Sequence, residues 1–188
     1  MARPRSDEKR EAIMAAAITV IAGQGLGAPT ALIAREAGVS NGALFTYFAT
    51  KADLLNALYV HLKAKMAEAT TAGLPADADL RGQMQHVWER WVEWAMLHPH
   101  ERKALAYIAV SHDLTDATRA AASQAYAGIA SLLERSRANG ALRDAPLMFV
   151  GALVVALLDA TVNYMAQDAT HAAEHAATGF AALWRMLA

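Results

Sequence analysis

The segment that most constrains the fold is residues 30–48, which reads as two short helices meeting at a tight turn. Ala34 is small enough to let the second helix approach closely. Gly38, four residues later, can adopt the left-handed backbone conformation that such a turn requires. Ser40 is suited to cap the next helix, and Leu44 has an aromatic residue four positions further on, on the same face. The segment therefore predicts a helix-turn-helix.

The rest of the sequence also predicts helices. Ala, Leu, Glu and Arg dominate, and no stretch alternates convincingly between apolar and polar residues as a half-buried strand would. Breaks rich in Gly, Pro, Asn and Asp divide the chain into about nine helices. We therefore expect an all-α protein, with a helix-turn-helix domain over residues 1–50 and a larger helical domain over residues 51–188.

Composition narrows the possible functions. The 188 residues include no cysteine, which excludes disulfides and thiolate metal sites, and a chain of this length can bury a core without them. The first ten residues are charged and lead into no hydrophobic signal core, so we expect a cytoplasmic protein. Residues 1–65 contain eight basic and five acidic residues, whereas the remainder contains nine basic and thirteen acidic residues. This asymmetry favours a partner with phosphates at the N-terminal end.

The second helix of the helix-turn-helix presents a face of small or polar side chains. Opposite Leu44 lie Asn41, Gly42, Ala43 and Thr46, with Tyr47 beside them. Such a surface would let the helix enter the major groove of DNA. A purely structural helical corner is the alternative, but the combined spacing of the small residue, the glycine and the caps favours a DNA-reading element.

Three segments resemble one family. IAREAGVS (33–40), GALFTYF (42–48) and KADLL (51–55) are similar to the tetracycline-repressor (TetR) family of bacterial regulators, and the resemblance extends over about residues 8–60. It implies homodimers that bind palindromic operators, usually repress transcription, and release DNA when a small molecule enters the C-terminal domain. We expect no catalytic residues, no metal site and no cofactor.

The resemblance also implies which residues contact DNA. The first turn of the second helix would face the DNA backbone, the third helix would enter the groove, and a lysine at the start of the fourth helix would bind a phosphate. These residues are Thr30, Ala31, Asn41, Gly42, Ala43, Phe45, Thr46, Tyr47 and Lys51. Two positions depart from the common pattern. Asn41 replaces a frequent lysine but can pair with adenine, and Phe45 replaces a frequent tyrosine and lacks its hydroxyl.

Two further basic residues precede the first helix. Arg3 and Arg5 could form an arm that adds phosphate contacts, or they could belong to a solvated terminus. In either case we expect most of the affinity for DNA to come from phosphate contacts and to fall steeply with salt.

A ligand site is predicted around residues 77–98, an amphipathic helix rich in Trp and Met. Aromatic and thioether side chains at helical spacing suit an adaptable apolar pocket, although such stripes also occur in ordinary cores. The candidate ligand-binding residues are Met84, Trp88, Trp91, Tyr107, His112, Tyr126, Met148 and Asp159. We expect the ligand to be small and largely apolar.

The last two helices, predicted at about residues 145–166 and 171–187, would form the dimer interface in the family's arrangement. Residues 147–158 are uninterrupted and apolar, and the apolar sequence continues to residue 165 with Asp159 and Asn163 as interruptions. We interpret it as too short and too interrupted for a membrane span, and as a helix that needs cover on all sides. Asp159 interrupts the apolar sequence and needs a partner, whether across a dimer, in a ligand or on the helix surface.

Parts of the sequence are compatible with two other classes of function. His171-Ala172-Ala173-Glu174-His175 matches H-x-x-E-H, in which two His and a Glu serve a zinc hydrolase, but the thirteen residues that follow supply no third ligand. No nucleotide-binding or serine-nucleophile motif is present, so we expect no enzymatic activity. A helical interaction module without DNA binding is disfavoured by the basic N-terminal region.

Overall fold

The computed structural model describes residues 3–188, with side chains from residue 6 onward. This part of the chain contains ten α-helices and no strand, which confirms the all-α class and adds one helix to the predicted nine. The helices are α1 (Arg3–Gln24), α2 (Thr30–Glu36), α3 (Asn41–Tyr47), α4 (Lys51–Thr71), α5 (Leu80–Leu97), α6 (Pro99–Ala109), α7 (Asp116–Ala125), α8 (Ala127–Arg137), α9 (Leu147–Gln167) and α10 (Ala172–Leu187). A 3₁₀ helix, Ala169–His171, precedes α10.

One compact unit is formed by the chain up to residue 64 together with His98–Gln124. Helix α1 packs against α2 and α6, and α2 packs against α3. Ile13 and Ile21 of α1, Leu54 and Leu58 of α4, and Ile108 of α6 are buried, and each contributes ~1.5–3 kcal/mol through burial of its side chain. This unit is larger than the predicted DNA-binding domain because α6 covers α1. The functional division at residue 50 stays a prediction.

The second compact unit comprises Lys65–Leu97 and Ala125–Ala188. Helix α5 packs against α8, α9 and α10, and α9 packs against α10. Trp88 is buried at the centre of this unit, and its indole Nε1 donates to the carbonyl of Ala176 at 3.0 Å. Gly179 allows the close approach, because a Cβ there would lie 2.6 Å from Thr161 Oγ1 and 2.7 Å from Trp88 Cζ2.

The segment between α8 and α9 is organised by one buried arginine. One terminal nitrogen of Arg137 donates to the carbonyls of Leu142, Arg143 and Ala145 at 2.6–3.0 Å. The rest of the guanidinium pairs with Glu134 at 2.6 Å. Charge-assisted hydrogen bonds of this kind compensate for the desolvation of the cation. Arg137 therefore fixes the path of the chain into α9.

Helix α9 leaves an apolar face exposed. Met148 is 81% exposed, Phe149 54% and Tyr164 55%, and Val155 is exposed between them. The sequence interpretation took the apolar run in this segment as too short and too interrupted for a membrane span. The helix extends beyond the apolar run to 21 residues and is long and apolar enough to cross a membrane by length and composition alone. Its other face packs inside the second unit, through residues such as Val150 and Leu158.

Candidate functional site

The turn between α2 and α3 has the geometry that the sequence predicts. Gly38 has φ of +69°, in the left-handed region that favours glycine. The N–H of Val39 donates to the carbonyl of Ala34 at 2.9 Å, and that of Gly38 donates to Arg35 at 3.1 Å. This pair of bonds is a Schellman motif, which satisfies the last carbonyls of α2 while reversing the chain.

Helix α3 is fixed at its start and along one face. The N–H of Ala43 donates to Ser40 Oγ at 3.1 Å, which confirms the predicted cap. Leu44 and Phe48 are both buried and anchor the helix to the core. Because this side faces inward, the opposite face of α3 points outward as a short rigid surface.

The structure places the predicted DNA-contact residues mainly on that outward surface. Asn41, Gly42, Phe45 and Thr46 of α3 are exposed, and Ala43 and Tyr47 are half-buried. In the first turn of α2, Ala31 is exposed and Thr30 is half-buried. Arg3 and Arg5 belong to the start of α1 instead of preceding it, and their side chains lie outside those that the structure describes.

The first turn of α4 is closed by a reciprocal cap. The N–H of Thr50 donates to Asp53 Oδ2, and the N–H of Asp53 donates to Thr50 Oγ1, each at 3.0 Å. This pair of bonds is a capping box, in which Thr50 and Asp53 satisfy each other's backbone N–H. Lys51, which follows Thr50, is half-buried, and its Nζ donates to the carbonyls of Leu26 at 2.5 Å and Ala28 at 2.6 Å.

One basic residue near α3 was missed by the sequence reasoning. The Arg10 guanidinium lies over the ring of Phe48, 5.3 Å from its centroid. In the sequence Arg10 contributes only to the charge balance, because its position next to the end of α3 depends on how α1 crosses the domain. It adds a partly exposed cation beside the candidate DNA surface.

Two ionisable side chains further along α4 are perturbed by burial. Burial lowers the pKa of the Lys63 ammonium. Burial also raises the pKa of Tyr59, an effect that the charge of Arg119 opposes. Lys63 Nζ lies 5.9 Å from the centroid of the Tyr59 ring. Lys63 thus packs against an aromatic side chain within the first unit.

Comparison with known proteins supports the interpretation of this region. Residues 13–58, which include the whole helix-turn-helix, match the family of bacterial regulatory proteins described as the tetR family. Residues 13–58 thus form a TetR-family N-terminal domain. A protein from Shewanella sp. PV-4 assigned to TetR-family transcription regulators is 28% identical, with a TM-score of 0.83 over 94% of this chain and 96% of that one.

Further TetR-family structures share the fold. A transcription regulator from Marinobacter aquaeolei VT8 is 20% identical and has a TM-score of 0.85, with 98% of each chain covered. The regulator LfrR from Mycobacterium smegmatis, solved in complex with proflavine, is also 20% identical and has a TM-score of 0.68. It covers 94% of this chain and 95% of its own. The likeness therefore extends through both compact units.

The second compact unit contains a small apolar cavity of about 20 Å³. Three of the predicted ligand-binding residues, Met84, Trp88 and Trp91, line it, and no polar atom faces it. The other lining residues come from all four packed helices and are Val87, Ile129, Leu133, Val154 and Leu183. The cavity has room for about one water molecule, and cavities lined only by apolar groups stay dry.

The other five candidate ligand residues lie elsewhere. Tyr107 and His112 are exposed and belong to the first compact unit. Met148 is on the exposed face of α9, and Tyr126 and Asp159 are half-buried in the second unit without lining the cavity. Only the residues of α5 are therefore brought together, because their helical spacing is local whereas the other five depend on tertiary packing.

The H-x-x-E-H residues form a hydrogen-bonded cluster with a carboxylate that precedes the motif. Asp168 Oδ2 lies 2.9 Å from His175 Nε2 and 3.1 Å from His171 Nδ1, and Glu174 is exposed. Hydrogen bonds from His175 and His171 lower the pKa of Asp168. Within the described part of the chain, no three such side chains are arranged to hold a metal ion.

Proposed function

We propose that this protein, with its TetR-family N-terminal domain, is a DNA-binding transcription regulator that responds to a small molecule and acts by repression. The observation that carries the proposal is the outward surface of α3, fixed by the Schellman turn at Gly38, the Ser40 cap and the buried Leu44. A helix held this way, with small and polar side chains outward, suits insertion into the major groove. Residues 1–50 would bind DNA, and residues 51–188 would bind the ligand and dimerise.

The proposed DNA contacts fall into two classes. Asn41, Thr46 and Tyr47 would read base edges or methyl groups, with Gly42, Ala43 and Phe45 shaping the surface. Thr30 and Ala31 would approach the DNA backbone at the start of α2, and Arg3 and Arg5 would add phosphate contacts. Because phosphate contacts dominate affinity, operator binding should weaken steeply as salt rises.

The exposed apolar face of α9 supports a homodimer. Met148, Phe149, Val155 and Tyr164 form a stripe that would cost free energy if left in water. We propose that a second copy covers it through α9 and α10, which would make the operator palindromic. The same contact would explain the apolar composition of α9 without a membrane and is consistent with a cytoplasmic protein.

The proposed ligand site is the cavity beside α5. LfrR was solved with proflavine and FadR from Bacillus subtilis, a further structure of the same fold, with stearoyl-CoA, which supports a small-molecule site in this unit. The cavity, at about 20 Å³, would have to enlarge to admit a ligand, and Met84 is flexible enough to move. A small, largely apolar ligand that favours the opened state would release the operator.

The test starts with selection of duplexes from a random DNA library by the wild-type chain. We expect a palindromic sequence bound by a dimer. The double variant Thr46→Ala/Tyr47→Ala should lose operator affinity by ~1–3 kcal/mol per lost base contact while remaining dimeric. Thr19→Ala is the matched control, because Thr19 and Thr46 are both exposed helical threonines bonded to the carbonyl four residues earlier. Failure to enrich any sequence, or wild-type binding by the double variant, would refute the proposal.

A further inference from the structure

Two side chains in the first two turns of α4 hydrogen-bond to the backbone of two loops in the first compact unit, and each of these connections is called a tie. Lys51 reaches the loop between α1 and α2, which leads directly into the helix-turn-helix. Its Nζ donates to the Leu26 carbonyl at 2.5 Å and to the Ala28 carbonyl at 2.6 Å. Ala28 is buried, so its carbonyl lies where water is scarce. The ammonium is therefore aimed at the protein backbone, 23 and 25 residues earlier in the chain.

An ammonium group has three N–H donors and no acceptor. Two of the three are used here in short, charge-assisted bonds, which are about twice as strong as neutral ones. A phosphate ligand would have to share the remaining donor or displace a carbonyl. We propose that Lys51 is a positioning residue that sets the orientation of the helix-turn-helix, rather than a phosphate ligand. This inference rests on the proposed DNA-binding function.

Asn56 makes the second tie. Its Nδ2 donates to the Asp113 carbonyl at 2.8 Å, and its Oδ1 accepts from the Thr115 N–H at 3.0 Å. Both groups belong to the loop that follows α6. The same Nδ2 also donates to the Ala52 carbonyl at 2.8 Å, which fixes the amide orientation. The Asn56 amide thus both donates to the loop backbone and accepts from it.

The two ties connect α4 to the loop before α2 and to the loop after α6, all within the first compact unit. Lys51 and Asn56 are five residues apart on α4, so they project about 140° apart and reach different loops. Helix α6 packs against α1, and α1 continues into the loop that Lys51 holds. The helix-turn-helix is consequently held at its entrance by Lys51, and α4 itself is held by Asn56. Removing either tie should misalign α3 without removing any group that touches DNA.

The sharpest variant is Lys51→Arg, which keeps the charge. A larger planar guanidinium does not reproduce a compact ammonium between two carbonyls, whereas it binds phosphate at least as well. Asn56→Leu removes the second tie without changing charge. Lys51→Met removes one charge, and Lys9→Met, on an exposed side chain of α1, is its charge-matched control.

Affinities for the selected operator and for a scrambled duplex are measured against salt, well below the unfolding temperature. We expect Lys51→Arg and Asn56→Leu to lose on the order of tenfold in operator affinity, the effect of ~1.4 kcal/mol, with unchanged scrambled-duplex binding. Lys51→Met should bind the operator more weakly than wild type. The slope of its log affinity against log salt should equal that of Lys9→Met. A residue that only stabilises the fold would not change the ratio of operator to scrambled affinity at this temperature.

Three results separate the possibilities. The inference would be overturned, and Lys51 identified as a phosphate ligand, by two results together. Lys51→Arg would bind the operator like wild type, and Lys51→Met would weaken binding to both duplexes. Lys51→Met would also lower the slope of log affinity against log salt by about 0.9 per lost contact more than Lys9→Met does. If Asn56→Leu binds the operator as tightly as wild type, Asn56 has no positioning role and that part of the inference is refuted. If the wild-type chain enriches no duplex, the proposed function fails instead. Should Lys51→Met fail to fold, the two charge-conserving variants still decide the question.

Discussion

Gly179→Ala should destabilise the second compact unit, although the same change in an open helix is stabilising. Alanine is favoured over glycine in a helix interior by ~1 kcal/mol. At position 179, however, the added Cβ would lie 2.6 Å from Thr161 Oγ1, 2.7 Å from Trp88 Cζ2 and 3.0 Å from Thr161 Cγ2. Such separations are too short for heavy atoms in contact, so α10 must move away from α9 and α5.

The neighbours have little freedom to yield. Trp88 is fixed by its hydrogen bond to the Ala176 carbonyl, and Thr161 by its bond to the Leu157 carbonyl at 2.8 Å. Overpacking of a well-filled core costs ~1–3 kcal/mol, and a shift of α10 weakens the Trp88 bond as well. We therefore expect a net loss of about 1–2 kcal/mol in the free energy of unfolding after the gain in helix propensity.

The assay is urea unfolding followed by tryptophan fluorescence, at one fixed protein concentration. Gly128→Ala is the control, because Gly128 is helical and exposed and its added Cβ would meet nothing within 4 Å. That variant should be as stable as wild type or more stable by up to ~1 kcal/mol. A Gly179→Ala variant that is no less stable than wild type would show that the close packing of α10 against α9 and α5 is not as described.

Three other expectations each follow from the hydrogen bonds of one side chain. Ser40→Ala should lower stability by ~1 kcal/mol through loss of the α3 cap, and Ser40→Thr should restore most of it, both read by thermal unfolding. Arg137→Met leaves three carbonyls unpaired and should cost about 3 kcal/mol in urea unfolding, whereas Arg135→Met on the exposed side of α8 should cost little. The lowered pKa of Asp168 implies stability that is present above the ordinary aspartate pKa and lost as pH falls through the folded-state value. The stability of wild type should therefore decline more than that of Asp168→Asn below about pH 4, and parallel curves would contradict this.

Local features of the fold were predictable because their physics is local. The turn at Gly38, the Ser40 cap and the Thr50–Asp53 box each depend on residues within five positions of one another. A left-handed glycine and a side-chain oxygen at a helix start have the same effect wherever they occur. The architecture of the helix-turn-helix could thus be derived from its own sequence.

Features that join distant residues were not predictable in the same way. Lys51 looked like a free cation at a helix start, and only the fold brings its Nζ to carbonyls in the loop before α2. A third zinc ligand is expected after an H-x-x-E-H motif, whereas Asp168, the carboxylate that both imidazoles contact, lies before it. Five of the eight ligand candidates were chosen by residue type, which carries no information on tertiary position.

The cavity and the exposed apolar face of α9 both depend on how α9 packs in the second compact unit. Val154 of α9 and Leu183 of α10 line the cavity, while the opposite side of α9 presents Met148 and Tyr164 to solvent. A cavity of about 20 Å³ cannot take a ligand unless at least one lining helix or side chain shifts. If α9 or α10 shifts, the face proposed to meet a second copy shifts with it. The free energies of ligand binding and of dimer contact would then be coupled, and the coupling must be equal in both directions.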